Sequence, residues 1–417
     1  MKFRIPQKAR QRVLIVGLCG MGDLLFFQPA FRAMKNAWPG ARFDLLVTPN
    51  GARGLYEGRR LFEKIIEFPD MRWFSDGGGI RWPIIRRVVR ELRATKYGLT
   101  VWPYADTTLK KLLLDMLIGA QYSFIHQGEG WFGSKPLSTR QFMIPFARNT
   151  HVVDRNLALV QSIGIAVQDA CLQWESTAEE IAWGMRYLVD RSPEAKKRIG
   201  VHPGGNLLWC STRQWPLTSY QQLIDRVSGD LGYSPVLFGT RSEVHVLEDL
   251  ASRLQVKPLI VSDLPLNRVA SVIKNLDLFV GNDSSLVHMA AAMGIPSLSI
   301  VGPTNPDRTG PRGEQAHLVK LDLACSPCFD DRFDQRCPHR LCLAALSPDS
   351  VFRVLQKVLD SAVRKNNGGT SIHQIPTPEL ASEAMVRRDT QDRLIRQRTW
   401  KGWLRTPDLH PSKSQVS

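Results

Sequence analysis

Apolar residues along this chain fall into two alternating patterns. Short unbroken runs stand at Val13–Gly17, Phe43–Val47, Leu99–Trp102, Ile199–His202, Pro235–Gly239, Leu259–Ser262, Leu276–Val280 and Ser297–Val301. Runs of this length, bounded by Gly, Pro or polar residues, predict buried strands. Between them apolar residues recur every three or four positions, as in Leu24, Phe27, Ala30, Phe31 and Met34, or Ile84, Ile85, Val88, Val89 and Leu92. That spacing predicts helices with one buried face. Further helices are expected over His151–Ile163, Glu175–Asp190, Leu266–Asn275 and Pro348–Arg364, while Gln121–Pro145 has no clear period. Strand, helix, strand in repetition makes βαβ units, so the fold class is α/β with parallel sheets.

The densest such unit runs from Leu276 to Gly313. Its strand is followed by Asn282, Asp283, Ser284 and Ser285, then by the helix formers LVHMAAAM, a Gly294 stop and a second strand. The polar elbow falls at the carboxyl end of its strand, where sheets of this class bind ligands. Unpaired N–H groups and the helix dipole make that position an anion site. A rigid polar loop with Gly302, Pro303, Thr304, Asn305, Pro306 and Pro311 follows. Near the start, Gly17, Gly20 and Gly22 open the first helix and Asp44 stands where a ribose-binding acid would. The order is G-x-x-G-x-G, however, so a nicotinamide dinucleotide reading, and with it an NAD(P)-dependent oxidoreductase, is only the alternative.

The run GNDSSLVHMAAAMGIPSLSIVGPTNPDRTGP resembles the C-terminal signature of the ADP-heptose:lipopolysaccharide heptosyltransferases, glycosyltransferase family 9. The N-terminal stretch VLIVGLCGMGDLLFFQPAFRAMKNAWPGARFDLLV is similar to the same family in its strand, Gly-Asp, Pro-Ala helix and second strand. The resemblance extends over roughly residues 12–363. The resemblance implies a GT-B architecture, two Rossmann-like domains facing across a cleft. It implies an acceptor domain over 1–190 and a nucleotide-sugar domain over 191–346. A helix over 347–365 crossing back to the first domain follows, and then a linker and tail, disordered or lying on a membrane surface, over 366–417.

The implied activity is inverting, metal-independent transfer of a heptose or related sugar from an ADP-sugar to a lipopolysaccharide core or related glycan. No cofactor is implied, since the ADP-sugar is a co-substrate. By resemblance Asp23, of Met21-Gly22-Asp23, is the catalytic base; a carboxylate at a helix start suits proton acceptance from a sugar hydroxyl. The segment Arg213-Gln214-Trp215-Pro216 matches the motif that opens the second domain, so Ser211, Thr212 and Arg213 are assigned to the donor diphosphate. The planar fork of Arg suits phosphate. The backbone at Ser284, Ser285 and Leu286 is assigned to the same group, with His288 adding a donor one turn on. Asp283 is assigned to the donor site without touching phosphate, since two anions repel there; its expected role is to cap the helix or to hold a sugar hydroxyl. Glu243 is assigned to the nucleotide ribose, and Gly302, Pro303 and Thr304 to the loop beside the donor.

Charge adds a partner. The 55 Lys and Arg exceed the 39 Asp and Glu by 16, which predicts an anionic partner. The basic residues are spread over several segments and no nucleic-acid module is recognisable, which favours an anionic membrane surface over nucleic acid. Two stretches suit that surface: Arg86, Arg87, Arg90 and Arg93 on one helix, and RLIRQRTWKGWLR in the tail. No run reaches membrane-spanning length and the start lacks a signal-peptide core, so the expected location is cytoplasmic, peripheral to the inner face of the membrane. Cys325, Cys328, Cys337 and Cys342 are spaced C-x2-C-x8-C-x4-C. A structural loop of reduced thiols is the expectation there, with zinc, and a zinc-bearing nucleic-acid binder, as the rival.

Overall fold

A computed structural model of the chain describes residues 3–48, 52–57, 59–68, 82–103, 108–128, 135–147, 149–167, 169–204, 211–328, 337, 340–363 and 371–376. The basic and aromatic stretch of the tail, 393–405, lies outside the described residues.

Two all-parallel sheets carry the fold. The first contains β1 (Arg12–Gly17), β2 (Arg42–Val47), β3 (Lys64–Glu67), β4 (Leu99–Trp102), β5 (Tyr122–His126) and β6 (Gln141–Ile144), in the order β3-β2-β1-β4-β5-β6. The second contains β7 (Lys197–His202), β8 (Tyr233–Phe238), β9 (Leu259–Val261), β10 (Leu278–Asn282), β11 (Ser297–Ile300), β12 (Ala316–Leu321) and β13 (Ser371–Ile375), in the order β13-β12-β11-β10-β7-β8-β9. Both faces of each sheet are covered, as parallel sheets require. Successive residues of one strand therefore enter different cores. Leu14 and Val16 join the outer core of the first sheet, and Val13 and Ile15 join an inner core. That inner core continues without a break into Phe279, Leu286, Val287 and Met289 of the second half. Ile199, Val201, Leu278 and Val280 face a third core on the far side of the second sheet.

Several elements differ from the sequence expectation. Gln121–Pro145 contains β5 and β6, whose apolar runs are interrupted by the buried polar residues Ser123, His126 and Gln141. His126 pairs with Asn156 at 3.3 Å, while Ser123 and Gln141 serve a buried network: Asp115 Oδ1 accepts hydrogen bonds from Thr100 (2.8 Å), Trp102 (2.9 Å) and Ser123 (2.7 Å), and Oδ2 accepts one from Gln141 (2.9 Å). The expected linker after residue 365 contains β13, paired with β12 from His317↔Ser371 to Leu321↔Ile375. The helix Pro348–Val363 does not cross back to the first half among the described residues. Val351, Phe352, Val354, Leu355 and Val358 form its apolar face, and this seats in the core of the second sheet, beside the helix Leu217–Leu231.

The helix Ala178–Arg191 precedes the expected boundary yet packs on the second half, against Leu266–Ile273. A Cβ on its Gly184 would stand 1.9 Å from the Ser271 carbonyl oxygen, so only glycine permits this approach.

Candidate active site

β1 ends at Gly17 and the chain turns through Leu18–Gly20 into the helix Met21–Phe26. Asp23 is the third residue of that helix and accepts the Gly20 N–H at 3.1 Å, which fixes its carboxylate at the turn. β10 ends at Asn282, and the helix Ser285–Ala292 begins with Ser284 as its cap residue. The two helix starts meet face to face. A Cβ at Gly22 would lie 3.4 Å from His288 Cδ2 and 3.7 Å from Ser285 Cβ. Phe26 packs against the His288 ring with centroids 4.8 Å apart. The carboxylate assigned as base and the elbow assigned to the diphosphate thus belong to one junction.

Electrostatics at the junction are dominated by burial. Desolvation raises the Asp23 pKa to about 6, against the lowering effects of the Gly20 N–H and of His288, Arg213 and Lys111. Lys111, buried on the helix Leu109–Ile118, was not picked out from sequence. Its one signal is a cation within the apolar stretch LKKLLLDML. Cys19 lies beside the same carboxylate, and burial followed by Asp23 itself pushes its thiol well up.

At the elbow, His288 Nε2 lies 3.3 Å from Asp283 Oδ1. Burial opposes ionisation of Asp283, but His288, Arg213 and Thr304 together hold its pKa below the ordinary value. Asp283 is therefore an interior carboxylate tied to His288; it is not the helix cap. Ser284 Oγ lies 2.9 Å from His202 Nδ1, a histidine at the end of β7 that sequence reading passed over. Desolvation lowers the His202 pKa, against the raising effect of Glu243.

One buried amide assembles the rest. Asn282 Oδ1 accepts the Trp215 N–H (2.9 Å) and the Tyr220 hydroxyl (2.9 Å). Its Nδ2 donates to Pro203 O (2.8 Å) and Gly204 O (3.0 Å). The Arg213-to-Trp215 segment, the turn His202-Pro203-Gly204 and the elbow are thereby held in register. Ser211, Thr212 and Arg213 form a single helical turn entering this point, and the charge of Arg213 reaches both Asp23 and Asp283. Glu243 accepts the Thr240 N–H (2.8 Å) and hydroxyl (2.7 Å) on Oε2, so the capping role is filled. Its Oε1 faces Gly204, where a Cβ would stand 2.5 Å away.

The second loop is braced at both ends. Gly302 O accepts the Ser326 hydroxyl (2.7 Å) and Pro303 O accepts the Cys328 N–H (3.0 Å), so the cysteine-rich segment holds it from behind. Thr304 is buried against Asp283. Farther on, Gly310 O lies 3.0 Å from His151 Nε2 and Arg312 is 2.6 Å from Asp154, both residues of the first half. Cys325 and Cys328 are exposed and Cys342 is buried. Among the described residues no group of three or more His, Cys, Asp or Glu is arranged to hold a metal. No helix among them is long and apolar enough to cross a membrane.

The dinucleotide alternative fails on its acid. Asp44 sits near the start of β2, fully buried, accepting the Tyr97 hydroxyl (2.7 Å) and the Lys64 N–H (3.1 Å). It is away from the carboxyl end of the sheet, where a ribose would lie.

Known proteins resemble this chain in sequence and in fold. Lipopolysaccharide heptosyltransferase 1 of Pseudomonas aeruginosa is 27% identical over 369 residues, covering 84% of this chain and 98% of that protein. Lipopolysaccharide heptosyltransferase 2 of Escherichia coli is 24% identical over 322 residues, covering 74% and 88%. The structure of E. coli ADP-heptose LPS heptosyltransferase II superposes with a TM-score of 0.65 at 20% identity, covering 84% of this chain and 99% of that one. E. coli heptosyltransferase WaaC with ADP gives 0.62 at 22%, covering 83% and 99%. These likenesses establish the GT-B fold, two Rossmann-like domains. The profile of Glycosyltransferase family 9 (heptosyltransferase) matches residues 117–337, more than half of the chain. The chain therefore belongs to glycosyltransferase family 9 and is an enzyme that transfers a sugar from a nucleotide-sugar.

Proposed function

We propose that this enzyme moves a heptose from an ADP-sugar onto a lipid-linked lipopolysaccharide core glycan, at the inner face of the cytoplasmic membrane, with inversion and without a metal. The first half takes the acceptor and the second half the donor. The Asp23 carboxylate accepts the proton of the acceptor hydroxyl as its oxygen bonds to the anomeric carbon. The bond from that carbon to the diphosphate breaks, and ADP leaves with the electron pair. Arg213 and the N–H groups at Ser284, Ser285 and Leu286 receive the charge that grows on the diphosphate, the work otherwise done by a bound cation. Thr212 and Ser211 border the same group, Glu243 takes the ribose, and Gly302, Pro303 and Thr304 close the donor side. His288 links the elbow to the base, and Asp283 orients His288.

The observation that carries this reading is the approach of the Met21–Phe26 helix start to the Ser285–Ala292 helix start through Gly22. It supports placing a proton acceptor opposite a pyrophosphate cradle. The names of the relatives supply the sugar and the acceptor class. The test is ADP release by the purified chain given ADP-heptose and a heptose-deficient lipopolysaccharide acceptor. Asp23→Asn should abolish release while ADP still binds. Normal turnover by that variant would remove the base assignment, and ADP release with no acceptor dependence would remove the transfer reading.

A further inference from the structure

The outer side of the first half carries two rows of residues that the transfer site does not use. The helix Trp82–Thr95 buries Ile85, Val88, Val89 and Leu92. Arg86, Arg87, Arg90 and Arg93 remain exposed, and Glu91 is the helix's single acid. Arg86, Arg90 and Arg93 follow at i, i+4 and i+7, so they share one face. With Val89 and Ala94 they line a shallow groove. The neighbouring helix Leu109–Ile118 buries Leu112, Leu114 and Ile118 in the same outer core. Its Leu109, Leu113 and Met116 stand 37%, 42% and 45% exposed, again at i, i+4 and i+7. Large apolar side chains exposed in a row along a helix need a partner. The rows converge, because Arg93 Nε lies 3.9 Å from where a Gly119 Cβ would stand, just past Met116.

From this juxtaposition we infer that the paired helices Trp82–Thr95 and Leu109–Ile118 form a docking surface for an anionic phospholipid bilayer, the arginine row meeting headgroups and the apolar row entering the acyl boundary. Guanidinium beside exposed Leu and Met is the composition that interfacial helices use. The net charge of +16 gives the whole molecule the matching sign. The surface belongs to the half assigned to the acceptor, so docking would bring the cleft to a lipid-borne glycan; that consequence, not the docking itself, rests on the functional reading above.

The test uses the full chain and sedimenting vesicles of phosphatidylethanolamine with three-tenths phosphatidylglycerol. Each arginine near such a surface strengthens partition by about fivefold, so removing three should weaken it roughly a hundredfold. Arg86→Gln/Arg90→Gln/Arg93→Gln should show that loss, and Leu113→Ser/Met116→Ser a separate loss that added salt does not mimic. Both variants should keep the parent Tm, ADP affinity and turnover on a deacylated, water-soluble acceptor. Vesicle binding unchanged in both variants would overturn the proposal, as would a dimer that the apolar variant alone dissolves, which would assign the face to a second copy. Vesicle binding lost in the variants of a chain that transfers no sugar would uphold the surface and reject the functional reading.

Discussion

Replacing Asp23 by Asn should make the enzyme inactive and, at neutral pH, more stable. The carboxylate has a pKa near 6 in the folded chain against the ordinary 3.8, because burial outweighs the nearby N–H group and cations. Between those two values the folded state binds more protons than the unfolded state, so stability falls as pH rises through the window. Above pH 6 the cost is complete. The difference between about 6 and 3.8 corresponds to about 3 kcal/mol at most, from 1.36 kcal/mol per tenfold. Asp23 is only partly shielded from solvent, which brings the expected value to about 1–2 kcal/mol. Asn removes the charge while keeping the shape, so the variant should melt a few degrees higher at pH 8 and show no gain at pH 4. Activity gives the complementary signal. A base of pKa near 6 makes kcat/KM fall about tenfold per pH unit below that value and level off above it. The two assays are thermal melts of both proteins from pH 4 to 8 and initial rates of ADP release over pH 5 to 8. A rate that is flat from pH 5 to 7, or a variant no more stable than the parent at pH 8, would refute the argument.

Three further changes probe the frame around that carboxylate. Arg213→Ala should weaken ADP binding by about 2 kcal/mol, read by calorimetry, with Arg213→Lys recovering only part because it keeps the charge and loses the fork. Asn282→Ala strands the Trp215 N–H, the Tyr220 hydroxyl and two carbonyls in the interior; it should cost about 2–4 kcal/mol in a denaturant melt and loosen donor binding as well. Gly184→Ala places a methyl against the Ser271 carbonyl and should destabilise by about 2 kcal/mol or more without changing kcat.

The strands that a reader of the chain can find are those whose neighbours are apolar on both faces. β1, β2, β10 and β11 announce themselves in this way, and so does the elbow between the last two, because its polar residues break an otherwise oily stretch. β5 and β6 stay hidden because Ser123 and Gln141 spend interior positions on a hydrogen-bond network around Asp115 and His126 spends one on Asn156, and polarity there imitates a loop. β13 hides because an edge strand with alternating exposure carries little apolar content. At the site, Asp23, Arg213 and the Ser284 elbow are legible from motifs. Lys111 and His202 are not, since their relevance arises only when distant segments fold together. Asn282 was visible as an elbow residue, but its four hydrogen bonds depend on partners up to 79 positions away in sequence.

The seat of the helix Ala178–Arg191 decides how the molecule can be cut. A splice at residue 191, where polarity invites one, would hand that helix to a donor of foreign origin whose surface was never shaped around Gly184, and the Asn275 amide that now caps onto the Ile181 carbonyl at 2.9 Å would be lost. Chimeras that exchange nucleotide-sugar halves between relatives should be joined ahead of Thr177, so that the helix travels with the surface it fits.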